Sequence, residues 1–437
     1  MAFVQALSGL YSSSIGLDTI SSNIANASTA GYKRSRAEFS DIFESRLKNG
    51  VGHGALAPSV EQQFTQGSFK TTNNDLDFSI NGNGMFRVVD GLTGTTSNVA
   101  YTRNGEFRYA LGPTTTGTAS AERYIQNAQG NYLTGWAEGV ATTATPEPIR
   151  LVASMAANAT STSSMRVNLD DRAALIPATK TFSATDPTSF NWSTSQQVFS
   201  GVDGDTTPHN LTLYFARQPS ATDPTLKSNN WSVYAFLDGQ AAGGPQTLNF
   251  DAQGKLTAGN ALAVSGSVNA TVLTVSGQTG AVTSSTTTPT ALSIALDLSN
   301  SSQFASGYDL GSSIQDGYKD GFLASTSLEP DGTLVGRYSN SQTQNMGRVA
   351  LATFINPNGL KSIGDNLWQE TSYSGTAAIG AAGSGGRGVM NDYSLEESNV
   401  DLADELVNMI IMQRNYQANA QTIKTQDEML RNLAGLR

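Results

Sequence analysis

A helical repeat at each end of the chain, with β-type sequence between, sets the limits on its fold. Over residues 2–27, Phe3, Leu7, Leu10, Ser14, Leu17, Ser21 and Ile24 recur at a 4-3-4-3 spacing, and most of them are apolar. That is the period of a seam buried between helices. Val4, Ile15 and Ile20 widen the stripe, and Asp18 is the one charged side chain in the segment. A helix lying on a globular surface needs a charged outer face. This one lacks it, which predicts a helix surrounded by other helices.

Residues 398–435 repeat the pattern. Leu402, Leu406, Met409, Gln413, Tyr416, Ala420, Ile423, Asp427, Leu430 and Ala434 keep the spacing, with Val400, Ala403, Val407, Ile410 and Ile411 beside them. Ser398 followed by Asp401 predicts a capping box. Glu396, Glu397, Asp401, Asp404 and Glu405 crowd the start, and Arg431 and Arg437 sit at the end, as a helix dipole favours. The matched periods predict that the two helices pack on one another in a coiled-coil-like layer. The alternative is two unrelated helices, each docked on a core of its own.

Between them the chain reads as strands. "LDFSINGNGMFRVVDG", "YTRNGEFRY" and "RYIQNAQGNYLTGWAEG" are apolar runs broken by Asn/Gly turns. "HNLTLYFARQ" and "NNWSVYAFLDG" alternate at period two, predicting half-buried antiparallel strands. A short helix is predicted near Phe39–Leu47, and "GTAAIGAAGSGGRGVMNDYSL" reads as a Gly/Ala linker. The fold class is therefore α+β and multidomain: terminal helices with two nested antiparallel β-domains between them. The expected layers are 1–28 with 397–437 as helices, 29–72 with 387–396 as connector, 73–148 with 320–386 as inner β-domain, and 149–319 as outer β-domain.

Composition narrows function by exclusion. The 437 residues carry a net charge of −10, no cysteine and only 14% charged side chains. There is no basic footprint for nucleic acid and no thiolate site. His53 and His209 have no neighbours at metal-ligand spacing, so no metal or other cofactor is expected. No apolar run approaches the roughly 20 residues that span a bilayer. The N-terminus has no basic region, apolar core or cleavage site, which predicts no cleaved signal peptide. "GSGGRG" lacks the strand and helix of a dinucleotide site, Ser45 and Lys48 lack the partners of an acyl-transfer site, and Asp203 and Asp205 fit a turn better than a calcium loop. No catalytic constellation is present. A secreted glycan-binding β-sandwich remains open if Trp192, Trp231 and Trp368 are exposed; burial of the three in a core is the competing expectation.

The residues also carry a family resemblance. "SGLYSSSIGLDTISSNIANASTAGYKRSRAEFSDI" resembles the opening of the flagellar axial rod and hook family, with its turn motif on Ala25, Asn26, Thr29, Gly31, Tyr32 and Lys33. "LEESNVDLADELVNMIIMQRNYQANAQTIKTQDEMLRNL" resembles that family's tail, and "TNNDLDFSINGNGMFRV" its first β-domain, although Met85-Phe86 stands where two aromatics are usual. "GVDGDTTPHNLTLYFAR", "GGPQTLNFDAQGKLT" and "DGTLVGRYSNSQTQNMGRVALATFINPNGLKSIGDNLWQET" favour the hook branch over distal rod or hook-filament junction proteins.

The resemblance implies a structural subunit that polymerises with itself into a curved hollow tube joining rod to filament. Its partners would be rod proteins, hook-filament junction proteins, a hook cap and the flagellar type III export apparatus, with an extracellular location. The residues expected to pack between subunits are Phe3, Leu7, Leu10, Leu17, Ile24, Leu402, Leu406, Met409, Ile410, Tyr416, Ile423 and Leu430. Gly50, Gly52, Gly54, Gly383, Gly385, Gly386 and Gly388 are the expected hinges.

Overall fold

The structure, a computed structural model, describes residues 2–41, 55–92, 98–112, 123–177, 186, 190–220, 227–275 and 282–435. The chain divides into two units. The first joins Met1–Ala153, Ala324–Arg337 and Thr343–Arg437; the second joins Ser154–Leu323 and Tyr338–Gln342. Of the sequence expectations, Ser45, Lys48, Gly50, Gly52, His53, Gly54 and all but the first residues of the short helix near 39–47 lie outside the described residues. Phe39 and Ser40 themselves belong to a strand, Ser35–Asp41.

In the first unit the outgoing and returning ends of the chain are woven together. Helix α1 spans Ala2–Ala25 and helix α2 spans Leu402–Gly435. Below them Phe69–Thr71 pairs with Ser394–Glu396, and Ser79–Asn81 pairs with Val389–Asn391. The next layer is an antiparallel sheet centred on Met85–Val89, which pairs with Val99–Thr102, Tyr132–Ala137 and Leu351–Thr353. Its "MFRVV" is nearly unbroken apolar sequence, as a strand covered on both faces requires. Phe78, Phe86, Ile125, Leu133, Trp136 and Leu351 fill the core, with Phe86 edge-on to Phe107 at 5.4 Å.

The second unit is a sandwich whose two sheets share one core. Trp192–Val198, His209–Pro219, Lys227–Leu237, Gln246–Phe250 and Leu256–Ala258 form one sheet. The predicted alternation is present: Leu211, Leu213 and Phe215 point inward, opposite Leu237, Ala235 and Val233. The other sheet is not purely antiparallel. Thr162–Asp170 runs parallel to Val282–Asp297 and to Ser302–Phe304. Thr162 faces Ala295 and Asn168 faces Ser302, so the register slips by one residue across the turn that Ser301 N closes on Leu298 O. Parallel neighbours need a long crossover, and the intervening first sheet supplies it.

Trp231 and Trp368 are buried, and Trp192 is stacked between Phe215 and Tyr308. None of the three offers an open platform for a sugar.

Candidate functional site: the helix pair and the ion cluster at its base

The helices α1 and α2 pack antiparallel in heptad register. A Cβ on Gly9 would stand 2.7 Å from Asn419 Nδ2, and one on Gly16 3.3 Å from Met412 Sδ. Asn23 Nδ2 donates to Glu405 Oε1 at 3.3 Å. Each step of seven along α1 matches a step of seven back along α2. The face of α1 turned inward carries Ala6, Ser12, Ser13, Gly16, Thr19, Ile20 and Asn23. Two of its hydroxyls are satisfied within the helix: Ser13 Oγ donates to Gly9 O and Thr19 Oγ1 to Ile15 O.

The period was legible, but the face is displaced by one residue from the apolar seam. Leu7 is 51% exposed, Leu10, Leu17 and Ile24 are half-buried, and Phe3 lies outside the described side chains. On α2, Met409 and Ile423 are half-buried, whereas Leu402, Leu406 (52% exposed), Ile410, Tyr416 and Leu430 face outward. The physical reason is size. Glycine and serine let two helices approach closely, and a leucine row would hold them apart. The capping is displaced too: Asp401 Oδ1 accepts from Ala403 N at 2.8 Å and caps α2, while Ser398 Oγ accepts only from Val400 N.

The turn after α1 is pinned from several sides. Asn26 donates from Nδ2 to Ser22 O at 2.9 Å, and Thr29 Oγ1 donates to Asn26 Oδ1. Ala25 is the last helical residue. Tyr32 OH reaches Asn23 Oδ1, and Ser35 N donates to that same oxygen at 2.8 Å. Gly31 adopts φ +69° and donates to Glu396 O at 2.7 Å. A Cβ there would meet the Arg103 carbonyl carbon at 2.5 Å, so the position excludes every larger residue.

Beneath the turn is a buried ion cluster. Glu396, 1% exposed, accepts from Lys33 Nζ at 2.5 Å and Gly67 N at 3.0 Å on one oxygen, and from Arg103 at 3.0 Å on the other. Two cations share one carboxylate. Carbonyls carry the remaining donors: Lys33 reaches Thr65 O, and Arg103 reaches Ile80 O and Gly82 O. Burial pulls the Lys33 ammonium below its ordinary pKa; Glu396 opposes this and Arg103 adds to it. Burial lowers Arg103 in the same way against Glu396.

Beside the cluster, Arg34 Nε lies 2.5 Å from Glu405 Oε1, an ion contact without hydrogen-bond alignment. Asn399 ties Arg34 N to Gln63 O. Glu396 and Glu405 were expected to serve the dipole of α2 from its surface. Both are instead buried partners of the opposite end of the chain.

The glycines at 383–388 sit in a closed turn. Gly383 N donates to Gly388 O, Gly388 N donates to Asn83 O, and Arg387 Nε reaches Ala381 O. Gly383, Gly385 and Gly386 have positive φ, and a Cβ on Gly388 would stand 2.3 Å from Asn81 O. Turn geometry and close approach account for these glycines without slack in the chain. Among the described residues no cluster of His, Asp and Glu is arranged to hold a metal ion, and no helix is long and apolar enough to cross a membrane.

Comparison with known proteins finds relatives that match the chain from end to end. The flagella basal body rod protein family matches residues 5–33, the flagellar basal body rod FlgEFG protein C-terminal family matches 392–436, and the flagellar basal body protein FlaE D2 domain matches 168–318. The flagellar hook protein FlgE of Salmonella typhimurium is 39% identical over 449 residues, covering 100% of both chains. That of Escherichia coli is 38% identical over 446 residues, again covering 100% of both. A crystal structure of a Helicobacter pylori flagellar hook protein, FlgE2, covers 75% of this chain and 100% of its own, at 14% identity and a TM-score of 0.45. Identity at this level from end to end leaves one assignment, and the chain belongs to the flagellar hook protein family.

Proposed function

We propose that the chain is the structural subunit of the flagellar hook, polymerising into a curved hollow tube that acts as a universal joint between rod and filament. The observation that carries this reading is the apolar surface left bare on the helix pair: Leu7 and Tyr11 on α1, and Leu402, Leu406, Val407, Ile410 and Ile411 on α2. Among the described residues of the chain nothing covers it, whereas neighbouring copies have the same stripes to offer. In this reading 1–28 and 397–437 form a coiled-coil-like layer lining the tube, with the β-layers stacked outward from it. The polymer meets rod proteins at one end and hook-filament junction proteins at the other, grows beneath a hook cap, and receives its subunits from the flagellar type III export apparatus. The pinned turn at 25–33 and the Lys33–Glu396–Arg103 cluster support a rigid joint there, which passes torque from the helical layer to the sheets without bending.

The test is the double substitution Leu406→Asp/Ile410→Asp in the full chain. Both side chains are exposed, so the unfolding transition should be unchanged, while tube formation seen by electron microscopy should be lost. Normal tubes from the double variant would refute the assignment of this stripe to the polymer interface.

A further inference from the structure

The helix pair carries two partly apolar rows, and they face opposite ways. Gly9, Gly16 and Asn23 turn toward α2, and Asn419, Met412 and Glu405 turn toward α1. With about 3.6 residues per turn, the side of α1 directly away from this contact holds Val4, Leu7, Tyr11, Ser14 and Asp18. The side of α2 directly away from it holds Ala403, Val407, Ile410, Arg414 and Gln417. Ser14 is half-buried and the others are exposed. Both rows step by three and four residues, the period of a seam buried between helices. Both begin apolar and turn polar, at Ser14 on α1 and at Arg414 on α2.

Their placement decides what can cover them. A two-fold dimer repeats one patch, so it would cover one row and leave the other bare. Setting the α1 row of one copy on the α2 row of the next covers both, and the contact then repeats from copy to copy. Copies that repeat along one tube point the same way, so these helices meet antiparallel, as α1 and α2 do within the chain. Read in opposite directions, Val4, Leu7, Tyr11 and Ile410, Val407, Ala403 each step by three and then by four. Heptad phase permits other alignments only in jumps of seven. One jump toward the end of α2 sets Leu7 on Arg414 and Val4 on Gln417; two jumps set them on Gln421 and Lys424. One jump the other way carries Tyr11 past the start of α2 at Leu402. Helix α1 has no charged side chain before Asp18, so nothing on that stretch repels Asp404, the exposed acid flanking the α2 row.

We propose that α1 of one copy docks on α2 of a second copy with Val4 against Ile410, Leu7 against Val407 and Tyr11 against Ala403. The inference rests on the hook-subunit reading and gives its helical contact a direction and a register. Within one chain Gly9 faces Asn419, so Leu7 lies level with Gln421 of its own α2. Docking on Val407 of the neighbour instead displaces that copy by two heptads along the helices, about 21 Å at roughly 1.5 Å per residue. A heterologous contact without such a stagger closes into a flat ring; with it, the copies climb into an open helix. The sequence of the two rows thus sets a screw displacement between neighbours.

The chain has no cysteine, so introduced thiols report alone. Leu7→Cys is mixed in turn with Val407→Cys, Arg414→Cys and Gln421→Cys, each pair doped into an excess of unsubstituted chain, polymerised and oxidised. A disulfide needs Cα atoms within about 7 Å, less than the roughly 10 Å of one heptad. Non-reducing electrophoresis should show covalent dimers with Val407→Cys, and none with the other two or from Leu7→Cys alone. Dimers with Arg414→Cys or Gln421→Cys instead would overturn the register, and dimers from Leu7→Cys alone would put a two-fold contact in its place. Electron microscopy of unsubstituted tubes decides without any substitution: neighbouring helix pairs in contact should be offset by about 21 Å along the helices. An offset near zero or near one heptad overturns the register whatever the thiols do, and leaves the hook-subunit reading standing. Failure of the unsubstituted chain to form tubes would overturn that reading and this contact with it.

Discussion

Glu396→Gln probes the junction under the helix pair most directly. The substitution keeps the shape of the side chain and removes its charge. It leaves the Lys33 and Arg103 cations in a site where Glu396 itself is 1% exposed. An amide also turns one N–H toward a donor, so either Lys33 and Gly67 or Arg103 lose their acceptor. Removing one partner of a buried ion pair costs about 3–5 kcal/mol. The upper end is capped by chemistry. Lys33 can shed its proton, and neutralising an ordinary lysine at pH 7 costs about 5 kcal/mol. Thr65 O, Ile80 O and Gly82 O soften the loss, since they still accept from the two cations.

Hydrogen exchange of the full chain reads this locally. Segments at 63–71 and 394–405 should exchange about 10²-fold to 10³-fold faster, because each tenfold is about 1.4 kcal/mol. The strands at 209–237, in the second unit, should not change. Lys33→Met added to Glu396→Gln should recover part of the loss, since an apolar side chain leaves only one unpaired cation. Acceleration of less than about tenfold at 394–405 would refute the idea that this carboxylate is the anchor of the junction.

Gly31→Ala forces a Cβ into a left-handed residue and against the Arg103 backbone at 2.5 Å. Conformation alone costs about 1–2 kcal/mol and the clash adds to it, so the urea midpoint of the first unit should fall well below that of the unsubstituted chain; an unchanged midpoint would contradict the geometry. Tyr101 has its pKa pushed up to about 12, first by burial and then by the Glu370 carboxylate beside it. The folded chain keeps a proton that the unfolded chain releases near pH 10. This contribution is therefore whole below pH 10 and is lost as pH rises through about 12. Tyr101→Phe should lessen the drop in unfolding midpoint between pH 9 and 11, and equal drops in both proteins would sink the assignment.

Period was readable in this sequence and partnership was not. The 4-3-4-3 spacing of α1 is a local property, and it is there. Which face turns inward depends on what lies opposite, and Gly9 and Gly16 carry no apolar signal to mark themselves. Lys33 and Glu396 are separated by 363 residues. No local pattern links a lysine after a glycine turn to an acid before a helix, so Glu396 read as a dipole partner. Likewise the outer β-domain at 149–319 read as antiparallel, but the direction of Thr162–Asp170 relative to Val282–Asp297 depends on the crossover between them.

The displaced seam has an energetic consequence. Full burial of a leucine or isoleucine is worth about 1.5–3 kcal/mol. Had α1 met α2 through Leu7, Leu10 and Leu17, that gain would be complete within one chain and would favour the monomer. Packing through Gly9, Ser13 and Gly16 instead brings the helices close, buries Ile20, leaves Leu10, Leu17 and Ile24 half-buried, and keeps Leu7 and Tyr11 outward. In a hook subunit this divides the labour: the small-residue face sets the geometry of the pair, and the apolar face stays available to neighbours. Replacing Gly16 with leucine should therefore act twice. It pushes against Met412, whose sulfur already lies 3.3 Å from where a Cβ would stand, and by spreading the pair it misplaces the outer stripes. Tubes should be lost at this position even if the isolated chain keeps its helix content by circular dichroism. Tubes of normal appearance from that variant would show that the spacing of α1 and α2 does not govern assembly.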